Sequence, residues 1–333
     1  MKRVKLEDLR EKTTKKLLSA GIDEESVNII TDILLYADLR GIHSHGVLRV
    51  EHYVNRVSSG GINLSSNFNI TKRKQSIAIM DADGGFGHVA VKKAMDYAID
   101  NSKENGLFLI GIKNNSHIGA LSYYNKMAID KQKISLIMAN TDPCVIPFNG
   151  KRSFFGTNPI SFGFPARRDF ILGDMATSEV SLGRIFNYSN NGESIPPNWG
   201  VDENGESTTD PNKVKALIPF GGAKGYMLQT MIEAFSGILI GNVYCNNLVK
   251  MYDDLDKMRN LSTFILVIEA DIFNDIDTFL DTTQSFIDDL RNEPSLYDNI
   301  PITVPGDRKE ACRIDYEKNG IAISDNVYNY LFS

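Results

Sequence analysis

The sequence predicts an α/β protein, and three observations carry that prediction. Apolar residues recur at three- and four-residue steps through the first 57 positions. Between residues 76 and 139, short apolar runs alternate with segments of helical period. Helical periodicity returns near the C-terminus. At 333 residues, one large domain or two interlocked ones is expected.

The elements follow in order. Residues 6–20 read as a helix. Asp23 caps the next, in which Val27, Ile30, Leu34 and Ala37 share a face. A third helix is expected over 46–57, with Val47, Val50, Tyr53, Val54 and Val57 as its stripe, ending at Ser58-Ser59-Gly60-Gly61. Strands at 76–81, 107–113 and 134–139 then alternate with helices at 88–103 and 120–130. Taken alone, this alternation invites a doubly wound parallel sheet. Residues 140–200, rich in Pro, Gly and Asn, predict loops and short strands. A long apolar helix is expected over 222–240, a strand over 264–269, and helices over 276–291 and 325–331, with a loop at Pro305-Gly306.

Composition removes several function classes. Net charge is -6, and the only tight basic run, Lys72-Arg73-Lys74, reads as a solvated loop. Neither nucleic acid nor an anionic membrane is an expected partner. Cys144, Cys245 and Cys312 are odd in number and far apart, which shows no disulfide or zinc framework and suits a reducing cytoplasm. The segment Met1 to Lys12 is charged, so no secretory signal is expected. No apolar run is long enough for a membrane span.

Four motifs bear on chemistry. Gly85-Phe86-Gly87-His88-Val89-Ala90 fits the G-x-G-x-x-A dinucleotide fingerprint between a strand and a helix. The next strand ends in Lys113-Asn114, with no acid to hold a ribose, so a tight packing turn is the preferred reading. All five histidines (His43, His45, His52, His88 and His117) fall in the first 117 residues. His43-Ser44-His45 resembles an H-x-H metal pair of a hydrolase, but later ligands at metal spacing are lacking, and no metal is expected. His117 sits at a strand end before a helix, where α/β proteins place chemistry, and an imidazole suits abstraction of a hydroxyl proton. Arg49, four residues after His45, is either a carboxylate clamp at a helix start or a solvent-facing side chain. Phe220-Gly221-Gly222-Ala223-Lys224-Gly225 is either a pyrophosphate seat or an ordinary loop-to-helix junction.

Together these segments resemble the type 2 malate/lactate dehydrogenase family, also called sulfolactate dehydrogenase-like. The markers run through nearly the whole chain. They are Arg40-Gly41, Ser44-His45-Gly46-Val47 with Arg49, Asn115-Ser116-His117, Gly156-Thr157-Asn158-Pro159, Asp174-Met175-Ala176-Thr177-Ser178, Thr208-Thr209-Asp210-Pro211, Gly221 to Gly225 and Pro305-Gly306. Tyr36-Ala37-Asp38, His43 and Met251-Tyr252-Asp253-Asp254-Leu255 with Arg259-Asn260 look most like the branch that converts ureidoglycolate to oxalurate in allantoin breakdown.

The resemblance implies a non-Rossmann α/β (α+β) fold. Its dinucleotide-binding domain, 76–269, would carry a largely antiparallel sheet, and its helical domain would come from both chain ends, 1–75 with 270–333. It implies an oxidoreductase using NAD on a small 2-hydroxy acid, acting as a homodimer or higher homo-oligomer. His117 matches the proton-transfer position of the ureidoglycolate branch, and His45 matches the one assigned in a sugar-acid reductase, so both are catalytic candidates. Ser44, Arg49, Tyr53 and Arg259 are implied substrate contacts. Thr141, Asp174, Met175, Ala176, Lys224, Gly225, Arg259, Gly306, Asp307 and Arg308 are implied cofactor contacts. Thr141 stands where the family form has Ser, and Asp307-Arg308 departs from the family pattern. The alternatives are another 2-hydroxy acid (malate, lactate, sulfolactate), a keto-acid or imine reductase, and a metal-dependent hydrolase.

Overall fold

The computed structural model describes residues 2–333. The chain opens with β1 (Lys2–Val4), α1 (Leu6–Ser19) and α2 (Glu24–Leu39). Leu9, Thr13 and Leu17 form the buried face of α1 at four-residue spacing. The Asp23 carboxylate accepts the Ser26 N–H and starts α2, as its sequence predicts. The helix expected over 46–57 is shorter than its stripe suggests. Two 3-10 turns, His43–His45 and Val47–Arg49, precede α3 (Val50–Ser58).

The middle of the chain forms β2 (Asn69–Lys74), β3 (Ile77–Asp81), α4 (Gly87–Asn105), β4 (Leu107–Asn115), α5 (Leu121–Ile129), β5 (Lys133–Ala139), β6 (Ile160–Pro165) and β7 (Phe170–Met175). Lys72-Arg73-Lys74 is therefore an exposed edge strand rather than a loop; its charges keep the edge from pairing with other chains. After α6 (Leu182–Asn191) come β8 (Gly200–Val201), β9 (Ala216–Leu217), α7 (Ala223–Glu233), β10 (Leu261–Glu269), α8 (Ile276–Asn292), α9 (Asp307–Asn319), β11 (Ile321–Ile323) and α10 (Asp325–Phe332). The two chain ends meet where β1 pairs with β11.

Seven strands form the main sheet in the order β2-β3-β4-β10-β5-β6-β7. Among the described residues, only β3 and β4 pair in parallel; the other five pairings are antiparallel. The doubly wound arrangement that the alternation invites is not formed, because β10 arrives from far along the chain and inserts between β4 and β5. One face of the sheet packs Met80, Phe108, Ile110, Ile137 and Val267 against α4 and α5, with α2 packed on those helices and α1 on α2. The other packs Met138 and Phe264 against Ile232 of α7. The helix α8 lies along β6 and β7.

The insertion of β10 builds the site. Its register pairs Leu261 with Asn115 and Thr263 with Ala139. Antiparallel pairing brings the start of β10 to the finishing ends of β4 and β5. Arg259, two residues before β10, therefore lies beside His117 and Asp142, which follow those strands. No helix among the described residues is long and apolar enough to cross a membrane.

Candidate active site

The first wall is the turn that follows α2. Gly41 has a positive φ of 71°, which lets the chain reverse. Asp38, buried in the last turn of α2, accepts the Val47 N–H at 2.7 Å and pairs with His43 Nδ1 at 2.8 Å. A Cβ on Gly46 would lie 2.1 Å from that carboxylate, so only glycine fits. The two 3-10 turns thus hang from Asp38 and present Ser44, His45 and Arg49. Gly46→Ala should destabilise the fold by about 1–3 kcal/mol through overpacking, read as a lowered Tm in thermal unfolding. An unchanged Tm would show that the turn does not depend on this contact.

The second wall is the segment after β4. A Cβ on Gly87 would lie 2.5 Å from the Ser116 carbonyl oxygen and 2.6 Å from that of His117. The Gly87 N–H donates to Ser116 Oγ at 2.8 Å, and that hydroxyl donates to the Gly85 carbonyl. The glycines at 85 and 87 thus have a packing reason, the reading preferred from sequence.

His117 lies between the walls. Its Nδ1 is 2.6 Å from the Tyr53 hydroxyl, and its ring stacks on that of His45 at 5.4 Å. Its Nε2 has no hydrogen-bond partner among the described residues. Ser44 Oγ lies 2.9 Å from His45 Nδ1. Arg49 donates from Nε to the Ser44 carbonyl at 2.7 Å and from Nη1 to the Tyr252 hydroxyl at 2.6 Å, which leaves Nη2 without a partner among the described residues. Buried Arg259 pairs with Asp142 and shares one small cavity with His52, Tyr53, Arg56, Phe86 and His117. Two catalytic candidates and all four substrate candidates are therefore neighbours.

The histidine cluster is electrically distinctive. Burial pushes His117 well below the usual imidazole range, and His45 and Arg49 push it further. Burial and then Arg49 push His45 down to about 4, and burial takes fully buried His88 to about 3. The rings are neutral at cellular pH, the form a proton acceptor needs. The native state refuses protons that the unfolded chain takes up below its ordinary pKa of 6.5. Stability is therefore full above pH 6.5 and falls as pH drops toward about 4, by about 1.4 kcal/mol per pH unit for His88 alone. Burial raises the carboxyl pKa of Asp38 and Glu233, which acts in the opposite sense, but the imidazoles outnumber them. A Tm scan should fall from pH 6.5 to 4.5, less steeply in His88→Gln; parallel curves would contradict this.

The cofactor candidates lie on a strip joined by hydrogen bonds. Thr141 packs on Gly156, where a Cβ would lie 2.0 Å from its hydroxyl. Thr177 N–H donates to the Thr157 carbonyl, and Phe220 N–H donates to the Thr177 carbonyl, linking the extension of β7 to the glycine turn before α7. Lys224 is exposed in the first turn of α7 with no ion pair among the described residues, and Gly225 fits under the Phe220 carbonyl, where a Cβ would lie 2.1 Å away. Asp174 accepts the Ser122 N–H at 2.9 Å, Met175 is exposed, and Ala176 follows. Asp174 and Lys309 both act on the charge of His45, which places this strip beside the histidines. Gly306 starts α9 at φ 115°, beside exposed Arg308. Asp307 is tied up in a two-point ion pair with Arg291. It braces its own loop and has little left for a ligand.

His43 turns away from His45, to Asp38 and the Tyr316 hydroxyl, so the H-x-H pair does not converge on one ion. No group of three metal-ligating side chains is assembled among the described residues. Sequence reasoning missed Asp142 and Lys309 as partners, and it read Tyr252 and Asp38 only as parts of a resemblance.

A family model for malate/L-lactate dehydrogenase matches residues 4–332. The chain belongs to the malate/L-lactate dehydrogenase family. It is 37% identical to ureidoglycolate dehydrogenase (NAD(+)) of Escherichia coli K12, over 99% of this chain and 95% of that protein. It is 33% identical to the malate/(S)-sulfolactate dehydrogenase of Methanothermus fervidus, over 95% of this chain and 92% of that one. A dehydrogenase structure from Sinorhizobium meliloti superposes with a TM-score of 0.93 at 32% identity, covering 99% of this chain and 97% of that one. The family's members act on 2-hydroxy acids, and the His117 neighbourhood has the parts that such an oxidation needs.

Proposed function

We propose that this chain oxidises (S)-ureidoglycolate to oxalurate with NAD, His117 taking the hydroxyl proton. The observation that carries the reading is His117 Nε2, unpartnered, beside Arg49, His45 and Arg259. NAD, when bound, supplies the hydride acceptor. Exposed Lys224 and the N-terminus of α7 fit its pyrophosphate, because an unpaired ammonium and free helix N–H groups both attract phosphate oxygens. Thr141, Asp174 to Ala176, Gly225, Gly306 and Arg308 complete the proposed contacts.

Arg49 holds the substrate carboxylate. Arg49 Nη1 is held by the Tyr252 hydroxyl, so the carboxylate replaces that hydroxyl and gains Nη2. Ser44 and His45 orient the hydroxyl. Neutralising Arg49 removes one of the charges that depress His117, so substrate binding makes the base stronger at the moment it is needed. Buried Arg259 faces the far end of the substrate, where a ureido carbonyl can accept from it. The 37% identity to an enzyme named for ureidoglycolate supports this acid over its rivals. We also propose that the active form is a homo-oligomer, as the family resemblance implies.

The test is NADH formation with freshly prepared ureidoglycolate, malate, lactate and sulfolactate side by side. The highest kcat/KM should be for ureidoglycolate. A higher value for malate or sulfolactate would shift the substrate to the one named for the Methanothermus fervidus relative.

A further inference from the structure

We propose that His88 is a positioning residue that sets the tautomer of His117 through the Tyr53 hydroxyl. The inference rests on His117 as the proton acceptor. Tyr53 Oη lies 2.6 Å from His117 Nδ1 and 3.3 Å from His88 Nε2, so one phenol bridges two imidazoles. Tyr53 and His88 are both buried, and His88 Nδ1 has no hydrogen-bond partner among the described residues. His88 is in the first turn of α4, brought against residues 115–117 by the missing Cβ of Gly87.

A phenol has one proton to give. If it goes to His88 Nε2, the Tyr53 oxygen is left to accept from His117 Nδ1–H. The lone pair of His117 then sits on Nε2, free to take the substrate's hydroxyl proton. Without an acceptor at position 88, the phenol proton turns to His117 Nδ1. The imidazole proton moves to Nε2 and blocks it as a base. The Gly119 N–H, 3.4 Å from the same Nδ1, is too long to compete with the 2.6 Å phenol contact.

This polarity puts the proton of neutral His88 on Nδ1, the atom with no partner. A buried polar group left unpaired is unfavourable, and such exceptions mark places where another requirement wins. Here that requirement is a neutral acceptor that never becomes the final home of the proton. Burial keeps His88 from being protonated, so the positive charge formed in the reaction stays on His117. The role parallels that of the carboxylate in a Ser-His-Asp triad, without its charge.

The test uses the hydroxy acid that the wild type turns over fastest. His88→Phe keeps a buried ring but has no acceptor; it should lower kcat by about 10- to 100-fold with little change in KM. His88→Gln offers an amide oxygen to Tyr53 and should recover most of the rate. In a Tyr53→Phe background the bridge is already broken, so His88→Phe should cost nothing more. Wild-type kcat in His88→Phe, equal damage from Gln and Phe, or additive losses in the double variant would each overturn the inference. If His88→Phe does not fold, His88→Leu, which also has no acceptor, takes its place under the same outcomes. His117→Ala is run alongside. Full turnover there defeats the underlying assignment, whereas loss there with full turnover in His88→Phe defeats only the positioning role.

Discussion

His117→Ala loses nearly all turnover and keeps its affinity for NAD. The neutral His117 imidazole lines the cavity shared with Arg259, and general-base help is worth about 100- to 10,000-fold. Alanine leaves the walls standing, because the His117 backbone is held by the close approach of Gly87 and by Ser116, not by the ring. The loss should therefore appear in kcat, while a fluorescence titration with NADH gives the wild-type Kd. If His45→Ala instead removes turnover and His117→Ala does not, the roles of the two stacked rings are exchanged.

Arg49→Ala should raise KM for the hydroxy acid by about 30- to 1,000-fold, the equivalent of about 2–4 kcal/mol for one partner of a desolvated charge pair. A smaller fall in kcat should accompany it, because Arg49 also ties down the Ser44 carbonyl. Arg49→Lys keeps the charge but loses the fork, and it should fall between the two. An unchanged KM in Arg49→Ala would transfer the carboxylate to Arg259. The two variants thus separate binding from chemistry, since one moves KM and the other kcat.

Much of the fold was legible because periodicity reports burial. The helices α1 and α8 each bury a stripe, α2 is buried nearly all round from Val27 to Leu39, and the strands from β3 to β5 bury apolar runs. Elements without such a face were invisible. The helix α9 has no buried residue, and β2 exposes its lysines and arginine. The helix α6 buries only Ile185 in a stretch that reads as loop. Two 3-10 turns have too few residues to show a period; His43–His45 went unread and Val47–Arg49 was absorbed into the helix expected over 46–57. Strand order was illegible for a different reason. The insertion of β10 between β4 and β5 is decided by packing across the sheet, and nothing local in residues 261–269 records it.

The site followed the same rule. The crowding of five histidines into 117 residues was a usable signal, and four of them do meet around Tyr53. Their partners from other parts of the chain were not. Asp142 and Tyr252 reach the cluster only because β5 and β10 are neighbours, and Lys309 only because the Pro305 carbonyl accepts from the Leu172 N–H of β7.

The central claim is spatial, so a crystal structure of the chain with NADH and oxalurate tests it most directly. The account predicts His117 Nε2 within about 3.2 Å of the keto oxygen, with the carboxylate on Arg49. A keto oxygen held away from both histidines, with His117 shielded from the nicotinamide, would contradict it.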